Sequence, residues 1–294
     1  MRHLALLPLL AIAALAAPAK EPASAPSIRI EKAFLPGGEI NDRRLLDEIN
    51  AKTDALVKSG RTIHATNLIA QLSRKSCKIK LAKPSATRLD PESLATKTRA
   101  GTLVVSGFYK CTRCPNWHTS AASGFMLTAD GAFTTSYHVV DNAQNEALVI
   151  LTGDGRLAPV TEVLAADKVA DIAILRAEGI GFTPLPVSTN ALAGAKITVI
   201  SHPDNHFYAL SEGIISRRFL DTTPNGTRSM LSITADFGKG SSGAPVFDQF
   251  GTVIGSVNNT QSVYYDIKNG QKDNLQMVFK NCVSMRHLLD LIAP

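Results

Sequence analysis

From Gly101 onward the chain runs in short stretches of β-branched and apolar residues, separated by turns that carry glycine, proline or aspartate. Thr102–Tyr109, Ser123–Thr128, Ala132–Val140, Ala147–Leu151, Arg156–Leu164 and Asp171–Arg176 read as a first set of strands. Asp130-Gly131 and Gly153-Asp154-Gly155 supply hairpin turns between them. A link marked by Pro184 and Pro186 follows. Lys196–Ser201, Gly213–Arg218, Ser229–Thr234, Pro245–Phe247, Thr252–Val257, Val263–Ile267 and Leu275–Phe279 then read as a second set. Short strands with turn signals every eight to twelve residues or so predict a sandwich or barrel, not a parallel sheet. The expected fold is mainly β, with two six-stranded antiparallel β-barrels over about 100–190 and 191–280.

Ahead of residue 100 the period becomes helical. Asn41 or Asp42 caps a predicted helix to about Lys58, with Leu45, Leu46, Ile49, Thr53, Leu56 and Val57 on one face and Gly60 at its stop. Thr62 caps a second, to about Arg74, with Ile63, Leu68, Ile69 and Leu72 as its stripe. Residues 41–76 are thus an N-terminal helical hairpin: a docking module for a protein partner, a pro-segment, or a brace on the next domain. Residues 20–40 read as a flexible leader and 82–100, with Pro84 and Pro91, as a connector. A C-terminal helix is expected from Asn281 to Ile292.

The start of the chain follows another logic. Arg2 precedes an apolar run from Leu4 to Ala16, and Ala17-Pro18-Ala19 fits a small-x-small cleavage site. That is a secretory signal peptide over residues 1–19, cut near Ala19, with an apolar core too short for a good membrane anchor. The mature protein is expected to be exported, periplasmic or secreted, with no stable membrane insertion.

Composition narrows the class. Hydrophobic residues at 45% and charged residues at 19% exclude a disordered or fibrous chain. The formal charge of +6 falls by one when Arg2 leaves. No dense Lys/Arg run marks a nucleic-acid surface. Four cysteines, Cys77, Cys111, Cys114 and Cys282, suggest disulfides in an exported protein, with three possible pairings. Cys111-x-x-Cys114 with His118 also has a redox reading and a zinc reading. The first wants a helix in a βαβ unit, and the second wants a fourth ligand. Disulfides are preferred, and no metal or other cofactor is expected.

The candidate chemistry centres on Gly240-Ser241-Ser242-Gly243, where two serines sit on a turn between glycines. A serine attacks a carbonyl only if a base takes its proton and an acid orients that base. His138, at the end of a predicted strand, and Asp171, opening another, supply both residue types in the order His, Asp, Ser. His202 and His206, in Ser201-His-Pro-Asp-Asn-His206, read as surface or loop-packing residues and not as metal ligands.

In that order the motifs resemble the trypsin-like (chymotrypsin-fold) serine peptidases, and among them the bacterial HtrA/Deg-type branch. Ser123-Gly-Phe-Met-Leu-Thr-Ala-Asp-Gly131 with Ser136-Tyr-His-Val-Val140 is similar to the family's catalytic-histidine region. Asp171-Ile-Ala-Ile-Leu175 is similar to its aspartate strand, and Gly240-Ser-Ser-Gly-Ala-Pro-Val-Phe247 with Gly251-Thr-Val-Ile-Gly255 to its nucleophile loop and following hairpin. The resemblance covers about residues 100–292. It implies Ser242 as nucleophile, His138 as base and Asp171 as orienting acid. It implies an oxyanion hole of the Gly240 and Ser242 N–H groups, and a substrate-pairing edge at Ser256, Val257 and Asn258. Asp236, six residues before Ser242, stands where trypsin carries the acid that selects Lys or Arg. It is either the base of the specificity pocket or a loop cap. Ala244 departs from the usual second glycine of the motif. Little more than a helix follows the last strand, so the PDZ domain usual in HtrA-type proteins is not expected. The implied activity is an exported serine endopeptidase acting on polypeptides through an acyl-enzyme. The competing reading is a catalytically weak protease fold that binds peptides or proteins.

Overall fold

The computed structural model describes residues 28–30, 34–35, 38–268 and 270–293. The expected signal peptide and most of the leader lie outside these residues. A short strand β1 (Ile28–Arg29) precedes helix α1 (Asp42–Lys58). Asn41 caps α1, its side-chain oxygen accepting from Arg44 N–H at 3.0 Å. Helix α2 (Ala65–Ala70) starts later than expected because His64, not Thr62, is its cap: Nδ1 accepts from Thr66 N–H at 3.2 Å. It ends in a 3-10 turn, Gln71–Ser73.

Leu45, Ile49 and Leu56 of α1 pack on Val104, Val149 and Leu151 of the β structure. Leu68 and Leu72 pack on a different patch with Leu148, Ile150 and Val163. Each helix therefore spends its apolar stripe on the first sheet. Leu45, Ile49, Leu56, Leu68 and Leu72 are thereby closed to a partner, a packing compatible with the brace among the three readings above.

Helix α3 (Pro91–Arg99) replaces part of the expected connector. Asp90 accepts from Ser93 N–H at 2.7 Å, and Pro91 at the first helical position needs no hydrogen bond there. Pro91, read as part of a connector, is a helix start signal.

Strands β2 (Thr102–Lys110), β3 (Trp117–Met126) and β4 (Ala132–Thr135) come next, then the helical turn α4 (Tyr137–Val140). They are followed by β5 (Asn145–Thr152), β6 (Arg156–Asp167) and β7 (Ile172–Ala177). The order β6-β5-β2-β3-β4-β7 closes into a ring because β6 also pairs with β7. Strands β8 (Lys196–Ser201), β9 (Ala209–Thr223), β10 (Gly226–Ile233), β11 (Pro245–Phe247), β12 (Val253–Lys268) and β13 (Gln271–Ser284) form a closed antiparallel barrel, in the order β10-β13-β12-β11-β8-β9.

Several boundaries differ from expectation, among them an earlier start of β3 at Trp117 and a longer β9. The strand from Ala132 stops at Thr135, so His138 lies on a helical turn. The two predicted strands after Thr252 are one long strand, β12. The C-terminal helix shrinks to α5 (Arg286–Asp290), because Asn281, Cys282 and Val283 are held in β13 between β10 and β12.

A shared core joins the two halves. Phe125, Ile172 and Ile174 from the ring meet Ile200, Phe247 and Val283 from the barrel. The four cysteines are free thiols: Cys282 is fully buried in the barrel core, and Cys77 packs at the shared core. The expected staples are not formed.

Candidate active site

His138 and Asp171 come from the ring, and the serine loop comes from the barrel, so the site forms on the seam. Ser136 starts α4, and this turn swings His138 toward the start of β7. Asp171 has φ +58°, a left-handed conformation uncommon outside glycine, which concentrates at functional sites. Its backbone carbonyl accepts from Tyr137 N–H at 3.2 Å. Oδ1 accepts from His138 N–H at 2.9 Å, and Oδ2 lies 2.8 Å from His138 Nδ1. The carboxylate is thus tied to the backbone and ring of one residue, which fixes the proton on Nδ1 and leaves Nε2 as the basic nitrogen. The hydrogen bond from Asp171 raises the His138 pKa above its ordinary value, against the smaller opposing effect of burial.

A third group holds the acid. Asn258 Nδ2 donates to Asp171 Oδ2 at 2.6 Å. The β12–β13 register places Val257 opposite Cys282 and Asn259 opposite Asn281, so Asn258 is the extra residue of a β-bulge. Such a bulge turns a side chain out of the sheet's alternation. Behind it, Asn259 Nδ2 donates to Asn258 Oδ1 at 2.8 Å and Asn281 Nδ2 to Asn259 Oδ1 at 3.1 Å. Ser232 Oγ closes the series onto Asn281 Oδ1 at 2.8 Å. Every donor in this chain points toward Asp171.

The serine loop separates its two hydroxyls. Ser241 is fully buried, its Oγ donating to Ser201 Oγ at 3.0 Å and accepting from Gly238 N–H at 3.3 Å. Ser242 is partly exposed, and its carbonyl accepts from Ser123 N–H at 2.9 Å. Ser123 Oγ also donates to the Gly240 carbonyl at 3.0 Å, so β3 carries the loop. Gly243 has φ +85°, and a Cβ there would lie 2.4 Å from the Ser123 carbonyl oxygen. No hydrogen bond joins Ser242 Oγ to His138 among the described residues.

The Lys239 carbonyl accepts from Asp204 N–H at 2.7 Å. In a planar trans peptide this aims the Gly240 N–H the opposite way. Among the described residues, neither the Gly240 nor the Ser242 N–H has a hydrogen-bond acceptor. Ala244 is buried with Val246 and Ile254, so its methyl lies in the barrel core and not in the loop's turn.

A cleft of about 390 Å³ opens at the pair, lined by His138, Asp171, Asn258, Asn259, Lys168 and Arg228. A larger cavity of about 730 Å³ lies between α3 and β9 and holds none of these groups. The titratable pair, not the volume, marks the site.

Two expectations are corrected. Ser256 pairs with Pro245 of β11 on one side and Val283 of β13 on the other. Val257 spends its N–H on the Ala244 carbonyl and its carbonyl on Gly243 N–H. Neither has an edge to offer a peptide; from Asn258 onward β12 pairs only with β13. Asp236 is also misplaced as a pocket base. Its side chain is 89% exposed and lies 3.4 Å from Lys280 Nζ, facing solvent and a lysine. His202 is buried, with Nδ1 accepting from Tyr208 N–H at 2.9 Å, as expected of a packing residue.

Residues 122–255 match the trypsin-like peptidase domain family. The anti-sigma-I factor RsgI9 of Acetivibrio thermocellus is 30% identical over 46% of this chain and 19% of its own length. A probable periplasmic DegP-like serine endoprotease of Ectopseudomonas mendocina is 28% identical over 46% of this chain and 28% of its own. The DegS endoprotease of Salmonella typhimurium is 26% identical over 45% and 38%. The chain thus spans well under half the length of these relatives. In structure, a protease from M. tuberculosis in its active form superposes with a TM-score of 0.54 at 21% identity, over 72% of this chain and 88% of that one. An HtrA-type protease with a decapeptide gives 0.54 at 15% identity, over 68% and 65%. Residues 122–255 are thus similar to trypsin-like peptidase domains, among them those of DegP-like and DegS endoproteases.

Proposed function

We propose that the protein is an exported serine endopeptidase. Ser242 is the nucleophile, His138 its base and Asp171 the orienting acid. The observation that carries this reading is the three-point hold on Asp171, by His138 N–H, His138 Nδ1 and Asn258 Nδ2, beside a loop with two N–H donors that find no acceptor among the described residues. As Ser242 Oγ attacks a peptide carbonyl, His138 Nε2 takes its proton and Asp171 stabilises the imidazolium. The N–H groups of Gly240 and Ser242 receive the oxyanion; one such donor contributes about 3–4 kcal/mol. His138 returns the proton to the leaving amine, and water then hydrolyses the acyl-enzyme by the reverse steps. The substrate backbone pairs along the edge of β12 beginning at Asn258. The apolar run and cleavage site at residues 1–19 support export, and among the described residues no helix is long and apolar enough to cross a membrane.

The missing Ser242–His138 hydrogen bond favours a second reading, a protease fold that binds peptides without cleaving them. Unliganded catalytic hydrogen bonds are often long and tighten only on substrate. Labelling with a fluorophosphonate decides between the two. Labelling of the native chain, lost in Ser242→Ala and retained in Ser241→Ala, supports the peptidase. An unlabelled native chain that still binds peptide supports the binder.

A further inference from the structure

The tip of the β2–β3 hairpin takes no part in the chemistry above, yet it gathers three metal-ligating side chains. Cys111, Cys114 and His118 each offer one ligand atom, and these atoms all lie within 4.8 Å of one another. Cys114 Sγ is 3.1 Å from His118 Nε2. We infer that Cys111, Cys114 and His118 form a zinc(II) site with a fourth position open to solvent.

The geometry suits tetrahedral zinc. Bonds of about 2.3 Å to sulfur and 2.0 Å to nitrogen place neighbouring ligand atoms about 3.5–3.8 Å apart. The observed spacings reach this by side-chain rotation at an accessible hairpin end, where all three residues are partly exposed. The loop is also shaped for thiolates. Arg113 N–H donates to Cys111 Sγ at 3.4 Å, and Cys111 N–H to the Asn116 carbonyl at 3.2 Å, folding the Cys-x-x-Cys segment around its sulfurs. A backbone N–H on a ligating sulfur is the kind of outer contact that fixes a metal ligand. Two thiolates and a neutral imidazole just neutralise a divalent zinc, so the site leaves no local charge to bury. Neither remaining cysteine completes it, since Cys282 is sealed in the barrel core and Cys77 packs at the shared core.

The metal would pin the end of the strand that carries the serine loop. Lys110 pairs with Trp117 across the hairpin neck, Trp117 stacks on Phe108 at 4.8 Å, and Asn50 of α1 donates to the Trp117 carbonyl at 3.3 Å. Farther along the same strand Ser123 holds Gly240 and Ser242.

Cobalt(II) titration of the reduced, folded full chain tests the site. One equivalent should give thiolate-to-cobalt charge-transfer and tetrahedral ligand-field absorption, displaced by zinc. Both should vanish in Cys111→Ser and Cys114→Ser, weaken at least tenfold in His118→Ala, and persist in Cys77→Ser and Ser242→Ala. The last variant separates the site from the peptidase reading, which fluorophosphonate labelling tests alone. Circular dichroism checks that each variant is folded, and the zinc content of the wild-type chain gives a second readout. A folded wild type that binds no cobalt, or absorption surviving loss of both thiols, overturns the site. So does exported protein isolated with a Cys111–Cys114 disulfide.

Discussion

Asn258 Nδ2 lies 2.6 Å from Asp171 Oδ2, on the oxygen that also faces His138 Nδ1. The amide restrains the carboxylate, and the Asn259–Asn281–Ser232 series holds that amide in one orientation. A hydrogen bond to a charged group contributes about 1.5–3 kcal/mol. Asn258→Ala should therefore lower kcat/KM on a peptide ester by about 10–100-fold. Asn281→Ala, two hydrogen bonds further back, should have a smaller effect, and the double variant should fall short of the product of the two because they act through one chain. Strictly multiplicative effects would show that the series does not work as a unit.

In the proposed mechanism the raised pKa of His138 sets the acid limb of activity. The base works only when neutral, so the rate should rise with pH and its midpoint should lie above the ordinary imidazole value of about 6.5. The cause is the Asp171 hydrogen bond, and burial pulls the other way. In Asp171→Asn only burial remains, so the residual activity should have a midpoint at or below the ordinary value. A pH–rate profile of kcat/KM for the two proteins measures this. An unmoved midpoint would assign the limb to another group.

Much of this was legible beforehand, for physical reasons that vary along the chain. The twelve main strands announce themselves because their inward faces are apolar and their turns need Gly, Asp or Asn. The polar run Asn258–Ser262 broke β12 in two on paper, because only side chains facing the barrel core register as a pattern, and this half of the strand is largely exposed. Residues 82–100 read as a connector because α3 is short and polar, and its start depends on the Asp90 cap ahead of Pro91. The residue types of the proposed triad were readable from motifs. The hold of Asn258 on Asp171 was not, since it depends on a one-residue bulge set by pairing with β13. Nor could the sequence show that the Asp236 carboxylate turns to solvent and Lys280.

Gly240 is required by geometry at two points. Its φ is +95°, and a Cβ there would lie 2.5 Å from the His202 carbonyl oxygen and 3.2 Å from the Asp204 nitrogen. Of the two, Asp204 orients the Lys239–Gly240 peptide through its N–H. Gly240→Ala should push this loop away and turn the Gly240 N–H off its line. Loss of one oxyanion donor costs about 10²–10³-fold in kcat. KM should change much less, because the ground-state carbonyl makes little use of the donor. A drop in kcat of less than threefold or so in a folded variant would remove Gly240 from that role.

His202 makes the same loop sensitive to acid. It is fully buried, Nδ1 accepts from Tyr208 N–H, and burial lowers its pKa to about 3. In the unfolded chain the value is about 6.5, so between these limits the unfolded state binds the extra proton. Stability from this residue is then full above about 6.5 and is lost as pH falls, by up to about 1.4 kcal/mol per unit. His138, with its pKa raised, works in the opposite sense and partly offsets the trend. His202→Gln keeps an acceptor for Tyr208 N–H but cannot titrate. It should be the less stable protein at pH 7.5, and the gap to wild type should narrow by about 2 kcal/mol by pH 5. Urea midpoints at the two pH values measure the gap. Parallel losses in both proteins would place the acid sensitivity elsewhere.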